Sequence, residues 1–257
     1  AEAVWALRSA LEKSICFYSL AGTSAPAFFP HVISEVGRYL APLAAISVGS
    51  SMAYFIAPPC EALVGLDAAL KGQFKSAVYL TENLKKRLGV PVCWGGIHPT
   101  ICPEDCIEHA DIICRGEAED TVVELARRMQ DNEGLDGLGG VWFKKGAEII
   151  RNPSRGVPVD LNQYPPPDHD FGSHYIFDYE TGTMNRMSEK YFFKYRGNRY
   201  TTLPTRGCAM NCTYCINNYL HKMDPRSNRL RFKSADNIIA ELEWVKENLG
   251  FIREVDF

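Results

Sequence analysis

The stretch that decides the fold is Arg206-Gly207-Cys208-Ala209-Met210-Asn211-Cys212-Thr213-Tyr214-Cys215. Its three cysteines follow a C-x-x-x-C-x-x-C spacing, with an aromatic residue directly before the last one. Cysteine thiolates are the usual ligands of iron–sulfur clusters, and a cubane cluster has four irons to ligate. Three cysteines on one loop leave the fourth iron open, and an open position is typical of a metal site that performs chemistry. The spacing therefore predicts a [4Fe–4S] cluster on Cys208, Cys212 and Cys215.

Two other interpretations of the three cysteines are weaker. Half of a zinc site would need a second C-x-x-C or H-x-x-x-H pair at a suitable distance, and none follows. Buried free thiols are common in proteins, but they do not usually occur three to a loop beside a glycine and polar residues. Arg206, just before the loop, is either a counter-charge for the cluster or a solvated residue at a strand end.

The sequence around the cysteine loop predicts the opening of a β/α barrel. Tyr200–Pro204 reads as a strand before the loop, and Ser234 is a suitable N-cap for an apolar helix after it. A second strand is predicted from Arg253 to Phe257. Active sites of such barrels lie at the C-terminal ends of the strands, where Cys208 would be.

The earlier part of the chain alternates between strand and helix patterns. Leu43–Val48 and Val92–Trp94 are short apolar runs that end at glycines, and Leu80, Leu84 and Leu88 lie on one face of a helix between them. This alternation predicts an α/β fold, with a flavodoxin- or Rossmann-like, doubly wound parallel sheet. We predict three segments: residues 1–150 as this domain, 151–195 as a proline-rich linker, and 196–257 as the start of the barrel.

Parallel sheets bind ligands outside the carboxyl ends of their strands. Three loops are expected there, and they are Ser47-Val48-Gly49-Ser50, Gly95-Gly96-Ile97-His98-Pro99-Thr100 and Arg115-Gly116-Glu117-Ala118-Glu119. Paired glycines permit a close approach of the backbone to a large ligand. An isolated Gly-Gly pair is also ordinary turn chemistry, so this signal is weak by itself.

The combination of these loops with the Pro-Pro-Asp linker and the cysteine loop resembles the cobalamin-binding radical S-adenosylmethionine enzymes. The resemblance runs from about Leu43 to the end of the chain. It implies that cobalamin, held by the first domain, faces the mouth of the barrel. It also implies the cobalamin contacts, which are Ser47, Gly95, Gly96, His98, Pro99, Thr100, Gly116 and Glu117. Tyr214 would lie beside the adenine of S-adenosylmethionine.

Two features of the first domain differ from related patterns. The D-x-H-x-x-G motif, which supplies a histidine to cobalt in some cobalamin domains, is absent. His98 is therefore expected to shape its loop rather than to ligate cobalt. Cys102, Cys106 and Cys114 are expected to be buried thiols rather than ligands of a second cluster.

The resemblance implies an enzyme that cleaves S-adenosylmethionine reductively to a 5′-deoxyadenosyl radical. Cobalamin would then transfer a methyl group to an unactivated carbon of a small-molecule or natural-product substrate. An electron donor such as flavodoxin or ferredoxin is implied as a partner. The rival interpretations are a cobalamin-dependent cyclase, a methylthiotransferase, and a non-catalytic cobalamin or redox-sensing module.

The composition excludes several partners. With 28 basic and 31 acidic residues, the formal net charge of -3 gives no basic surplus for nucleic acid. The apolar region from Leu40 to Leu66 is interrupted by Gly49-Ser50-Ser51 and Pro58-Pro59, so no stable membrane insertion is expected. Nine cysteines without a secretory signal predict a reducing cytoplasm. Because the chain begins with Ala1 and ends within a predicted strand, it is expected to be a fragment that is inactive alone.

Overall fold

The computed structural model describes residues 17–19, 43–48, 54–56, 63–68, 74–89, 91–166, 171, 174–178, 180–181 and 183–257. Its first part contains eight strands: β1 (Phe17–Ser19), β2 (Leu43–Val48), β3 (Tyr54–Ile56), β4 (Leu63–Ala68), β5 (Val92–Gly95), β6 (Ile112–Cys114), β7 (Val141–Lys145) and β8 (Glu148–Arg151). Four helices accompany them: α1 (Phe74–Leu88), α2 (Ile97–Ile101), α3 (Pro103–Ile107) and α4 (Glu119–Gln130).

Seven of these strands form one sheet in the order β1-β2-β4-β5-β6-β7-β8. The first five strands in this order are parallel. β7 pairs antiparallel with β6, and β8 pairs antiparallel with β7. The predicted α/β class and the parallel sheet are therefore confirmed. Within the described strands the order follows the chain, without the reversal that a doubly wound sheet contains.

Apolar side chains from β5, β6 and β7 pack with α4 to form the main core. Cys93, Ile112, Leu125, Val141 and Phe143 are all buried in this cluster. Beside it, Trp94 is completely buried, and its indole N–H donates to Thr81 Oγ1 of α1 at 2.8 Å. A buried indole that keeps a hydrogen-bond partner adds apolar contact without an unsatisfied donor. This core fixes the carboxyl ends of β5 and β6, from which the predicted cobalamin loops emerge.

The second part of the chain contains the remaining elements. They are β9 (His174–Asp178), β10 (Thr183–Arg186), α5 (Glu189–Arg196), β11 (Arg199–Thr201), β12 (Thr205–Arg206), α6 (Ile216–Met223), a 3₁₀ turn (Pro225–Asn228), β13 (Arg231–Phe232), α7 (Ala235–Asn248) and β14 (Glu254–Asp256). β11 pairs in parallel with β14, and α7 lies between them in the chain. Tyr200 of β11 packs against Val245 of α7 and against Leu249, the residue that follows the helix. This strand–helix–strand unit agrees with the predicted opening of a β/α barrel.

The segment from 151 to 195 is more structured than its proline content suggests. β9 pairs with both β10 and β3, which forms a separate three-stranded antiparallel sheet. Ile176 is completely buried, and it packs with Phe192 of α5. Part of this segment therefore forms regular, packed structure. The segment boundaries at 150 and 195 remain predictions.

No helix in the described ranges is both long enough and apolar enough to cross a membrane.

Candidate active site

The carboxyl ends of the central strands bring two predicted cobalamin residues to one edge of the sheet. In the strand register Ser47 lies opposite Asp67, and Asp67 lies opposite Gly95. These three positions therefore form one row across β2, β4 and β5. Ser47 and Gly95 share the edge where parallel sheets bind ligands, with one strand between them.

Gly95 and Gly96 at this edge are distinguished by their surroundings and by their backbone conformation, respectively. Among the described residues, a Cβ added to Gly95 would meet Cys114 alone, at 3.9 Å or more, so none of these residues requires a glycine there. Gly96 has a φ of 96°, which residues with a side chain rarely adopt, and it begins α2. The bare backbone at Gly95 is consistent with the close approach of a large ligand.

Thr100 joins the two predicted cobalamin loops to each other. Its Oγ1 donates to the Gly96 carbonyl at 2.7 Å and accepts from the Gly116 amide at 3.0 Å. Its own carbonyl accepts from the Arg115 guanidinium at 3.3 and 3.4 Å. Thr100 is buried, and these bonds are partly buried. The sequence predicted both loops, and the structure shows that one side chain holds them together.

His98 and Pro99 are also buried within α2. The His98 ring meets Phe74 of α1 edge-on, with ring centroids 5.3 Å apart. This packing agrees with the expectation that His98 shapes its loop. Cys106 and Cys114 are buried, as expected, whereas Cys102 is only half-buried. Burial raises the pKa of the Cys106 thiol to about 12. Such a thiol stays protonated and is a poor metal ligand.

Replacing Thr100 with valine should loosen both loops at once. The variant keeps the shape but leaves the Gly116 amide without its acceptor, which costs about 1–3 kcal/mol for a buried group. We expect a loss of this size in the free energy of unfolding, together with weaker binding of hydroxocobalamin in an equilibrium titration. The exposed Thr201 on β11 supplies the control, Thr201→Val. Unchanged cobalamin affinity in Thr100→Val would separate these loops from the cobalamin site.

The cysteine loop is framed by a short antiparallel pair. β12 ends at Arg206 and pairs with β13, so the chain leaves the pair at Gly207. Gly207 has a φ of 90°, and an added Cβ would lie 2.2 Å from the Arg229 carbonyl oxygen. Further along, the Cys215 amide donates to the Cys212 carbonyl at 3.0 Å, and α6 begins directly afterwards. The glycine and this turn together give the loop its course.

The three cysteines of this loop are free and half-buried. Three thiols within eight residues form a donor set that suits an iron–sulfur cluster. Across the described residues, this loop included, no three His, Cys, Asp or Glu side chains converge into a ready metal-binding group. Tyr214 is 92% exposed, so its ring face is open to a ligand.

A buried cluster of charged residues connects the two predicted cofactor loops. Arg231 donates from both guanidinium nitrogens to the two Glu117 oxygens, and Arg206 Nη1 donates to Glu117 Oε2 at 3.2 Å. Arg206 also lies 2.6 Å from Glu119 Oε1. Glu119 is 3% exposed, and neither of its oxygens has a well-aligned hydrogen bond. Burial raises the pKa of Glu119, although Arg206 opposes that rise.

Arg206 is therefore not a solvated residue at a strand end. Its guanidinium pairs with Glu117 and Glu119, so it is not a counter-charge for the predicted iron–sulfur cluster alone. Glu117 was predicted as a cobalamin contact, and its carboxylate is engaged by two arginines. The contributions of Glu119 and Arg231 were missed. Glu119 stands two residues after Glu117, but nothing in the local sequence around Arg231 indicates this role. These pairs join residues 89 and 114 positions apart, a distance that no periodic pattern covers.

Residues 155–164 contact both parts of the chain. Toward the first part, Arg155 pairs with Glu124 at 2.6 Å. Toward the second part, the Val157 amide donates to Asp224 Oδ2 at 2.8 Å. Three further bonds follow the same pattern: Tyr164 to Asp120, Arg231 to the Pro158 carbonyl, and the Ser234 amide to Asn162. This connecting segment thus fixes the two candidate loops relative to each other.

Known proteins show similarity to the first part of the chain. The B12 binding domain family matches residues 60–126, a range that includes the Gly95–Thr100 loop, Gly116 and Glu117 but not Ser47. An uncharacterized methyltransferase, PH0819 of Pyrococcus horikoshii, is 25% identical over 201 residues, which cover 76% of this chain and 39% of PH0819. The anaerobic magnesium-protoporphyrin IX monomethyl ester cyclase of Synechocystis is 27% identical over 141 residues, covering 53% of this chain and 25% of the cyclase.

A second kind of similarity is shorter. The bacterial microcompartment shell protein EutL of Salmonella typhimurium is 41% identical over 66 residues, which make up 26% of this chain and 30% of EutL. This match is shorter than the similarity to the methyltransferase PH0819, which extends over 201 residues.

Two solved structures share the fold. TsrM of Kitasatospora setae, a radical S-adenosylmethionine methyltransferase with cobalamin and a [4Fe–4S] cluster bound, superposes with a TM-score of 0.52 at 17% identity, over 75% of this chain and 36% of TsrM. The cobalamin-dependent S-adenosylmethionine radical enzyme OxsB gives 0.54 at 21% identity, over 74% and 24%. This chain thus spans about two fifths or less of these proteins. The predicted resemblance is confirmed, because the chain joins a match to the B12 binding domain with the fold of the cobalamin-dependent radical S-adenosylmethionine enzymes.

Proposed function

We propose that this chain supplies the cobalamin-binding and cluster-binding parts of a radical S-adenosylmethionine enzyme. Cys208, Cys212 and Cys215 would hold three irons of a [4Fe–4S] cluster, and the loops around Gly95 and Gly116 would hold cobalamin. The observation that carries the proposal is the buried ion cluster, which holds a loop within the B12-binding match beside the three-cysteine loop. Two cofactors that act on one substrate need such a fixed arrangement.

The residues of this chain would bind and orient the cofactors, whose own chemistry is the difficult part. When bound, the cluster supplies an electron to S-adenosylmethionine, and cobalamin supplies a methyl group for an unactivated carbon. The exposed Tyr214 ring offers a flat surface on which adenine can stack. Gly95 and Gly96 let the backbone approach cobalamin closely. A small-molecule substrate, a flavodoxin or ferredoxin as electron donor, and a cytoplasmic location complete the proposal.

A cobalamin-dependent cyclase is the second candidate. The similarity to the Synechocystis cyclase favours it, since that match covers more than half of this chain. Both candidates need the same two cofactor sites, and they differ in the product. Transfer of a labelled methyl group from S-adenosylmethionine to the substrate indicates a methyltransferase, whereas ring formation without label indicates a cyclase.

Removing one cluster ligand should separate the two cofactors. We expect Cys212→Ala, reconstituted anaerobically with iron, sulfide and hydroxocobalamin, to lose the cluster absorption. Bound cobalamin should remain, because its loops lie in another part of the chain. Cys102→Ala, which removes a half-buried thiol outside the loop, should keep both cofactors. Loss of both cofactors together in Cys212→Ala, or failure of the parent protein to bind cobalamin, would contradict the proposed division.

A further inference from the structure

The antiparallel pair that frames the cysteine loop has an unfavourable charge arrangement of its own. Arg206 of β12 lies directly opposite Arg231 of β13. Like charges at directly opposed positions destabilise a strand pair. The two side chains are only 15% and 7% exposed, so water screens their repulsion poorly. The ladder contains just one other residue pair, Thr205 opposite Phe232, so few other bonds hold it.

The negative charges that compensate Arg206 and Arg231 come from the first part of the chain. Glu117 accepts hydrogen bonds from both arginines, and Arg231 meets it through two parallel bonds. Fork-to-fork geometry of this kind is the strongest arrangement between arginine and a carboxylate. Glu119 adds a second negative charge beside Arg206. The buried Arg231 and the partly buried Arg206 are thus matched by the partly buried Glu117 and the buried Glu119. This match avoids the high cost of an uncompensated buried charge.

These carboxylates belong to the loop that contacts the other candidate site. Thr100 holds Gly116, the residue before Glu117, against Gly96. On the opposite side, Arg206 stands two residues before Cys208 in the chain. The ion cluster therefore connects the backbone at the predicted cobalamin site to the backbone at the predicted cluster site.

We infer that Glu117 is a positioning residue through which the B12-binding part sets the frame of the cysteine loop. The inference rests on the proposed function for its cofactors, and on the ion cluster for its mechanism. Without Glu117, the two arginines repel each other across the β12–β13 pair, and the cysteine loop shifts relative to cobalamin. The relative placement of the two cofactors would thus depend on one carboxylate that need not touch either of them.

The first test measures the distance between the cofactors by pulsed electron paramagnetic resonance. For this test the protein is reconstituted with cob(II)alamin and the reduced cluster. These are two paramagnetic centres whose dipolar coupling depends on the distance between them. We expect Glu117→Gln to broaden the distance distribution while both cofactors stay bound. The matched control is Glu133→Gln, which breaks an exposed ion pair with Arg127 inside the first part and should leave the distribution unchanged.

A double variant distinguishes positioning from general destabilisation. Adding Arg231→Gln to Glu117→Gln removes one of the two repelling charges, and Arg206 keeps Glu119 as its partner. We expect the distance distribution to narrow again toward that of the parent protein. A merely structural contribution predicts the opposite, because two lost interactions would broaden the distribution further. An unchanged distribution in Glu117→Gln, or further broadening in the double variant, would overturn the inference.

The second test needs no cofactor. Hydrogen–deuterium exchange of the protein as purified reports directly on the opening of the β12–β13 pair. Peptides containing residues 205–208 and 227–232 should exchange several-fold faster in Glu117→Gln and at the parental rate in Glu133→Gln. Equal exchange in Glu117→Gln and the parent overturns the inference even when both cofactors bind. Faster exchange in a protein that binds neither cofactor supports the positioning role and rejects only the proposed function.

Discussion

Replacing Gly207 with alanine should abolish cluster assembly and leave cobalamin binding intact. The Gly207 φ of 90° lies in a region that costs a residue with a Cβ about 1–2 kcal/mol, which alone is about a tenfold loss of the required loop conformation. The added Cβ would also lie 2.2 Å from the Arg229 carbonyl and 3.0 Å from the Ser227 carbonyl. Both obstacles are backbone atoms, so no side-chain rotation relieves them. The loop must move, and Cys208 follows Gly207 directly.

Iron content and the cluster absorption after anaerobic reconstitution measure this effect, with cobalamin absorption recorded on the same sample. Gly250→Ala is the matched control. An added Cβ at Gly250 has no atom within 4 Å, so that variant should assemble the cluster normally. A full cluster in Gly207→Ala would show that the observed course of the loop is not needed for cluster binding.

Lys233→Met should be the most destabilising single substitution in the second part of the chain. Lys233 Nζ donates to Glu241 Oε2 at 2.7 Å, and the Tyr200 hydroxyl donates to Oε1 at 2.8 Å. The lysine and glutamate side chains are 8% and 1% exposed. Breaking a buried pair leaves one charge uncompensated, which costs about 3–5 kcal/mol. Urea unfolding should report a loss of that size at neutral pH.

The pH dependence of that loss supplies a second test. Burial raises the pKa of Glu241, but hydrogen bonds from Lys233, Thr202 and Tyr200 outweigh burial and hold the pKa below its usual value. In the parent, the resulting stabilisation is present above the unfolded pKa of about 4.3 and is lost as the pH falls through the lower folded pKa. Without Lys233, burial prevails and the folded pKa rises. Stability of the variant is then lost as the pH increases through that raised value.

The difference in unfolding free energy between parent and Lys233→Met should therefore widen from about pH 4 to neutral pH. Lys246 is an exposed lysine on α7, the helix that carries Glu241, and Lys246→Met should change little at any pH. A difference that stays constant with pH would mean that Glu241 remains ionised without Lys233, contrary to this account.

The sequence predicted those elements whose signals are local. Leu80, Leu84 and Leu88 recur at helical spacing, and α1 ends at Leu88 with Gly89 at a positive φ. Apolar runs before glycines predicted β2 and β5, because buried parallel strands need little else. The cysteine spacing predicted three thiols on one loop, because all three lie within eight residues of the sequence. In each case the pattern and its structural consequence lie within about twenty residues.

Features that depend on distant partners could not be predicted. β3 pairs with β9, and more than a hundred residues separate Tyr54 from Ile176. Each strand is short, and the prolines nearby made the second one read as linker. The ion cluster has the same origin, since Glu117 and Arg231 are ordinary surface residues until the fold buries them together. Long-range pairing of this kind leaves no periodicity to read.

The connecting segment 155–164 has a consequence for building chimeras from related enzymes. Its Arg155 and Tyr164 bind the first part of the chain, while Val157, Pro158 and Asn162 bind the second. A junction placed within it would therefore separate matched donors and acceptors from two parents. Exchange of the whole first part of the chain is better served by moving this segment with its own Asp224 and Ser234 contacts. The connecting segment 155–164 should therefore be transferred together with its contacts, and a chimera junction should not be placed within it.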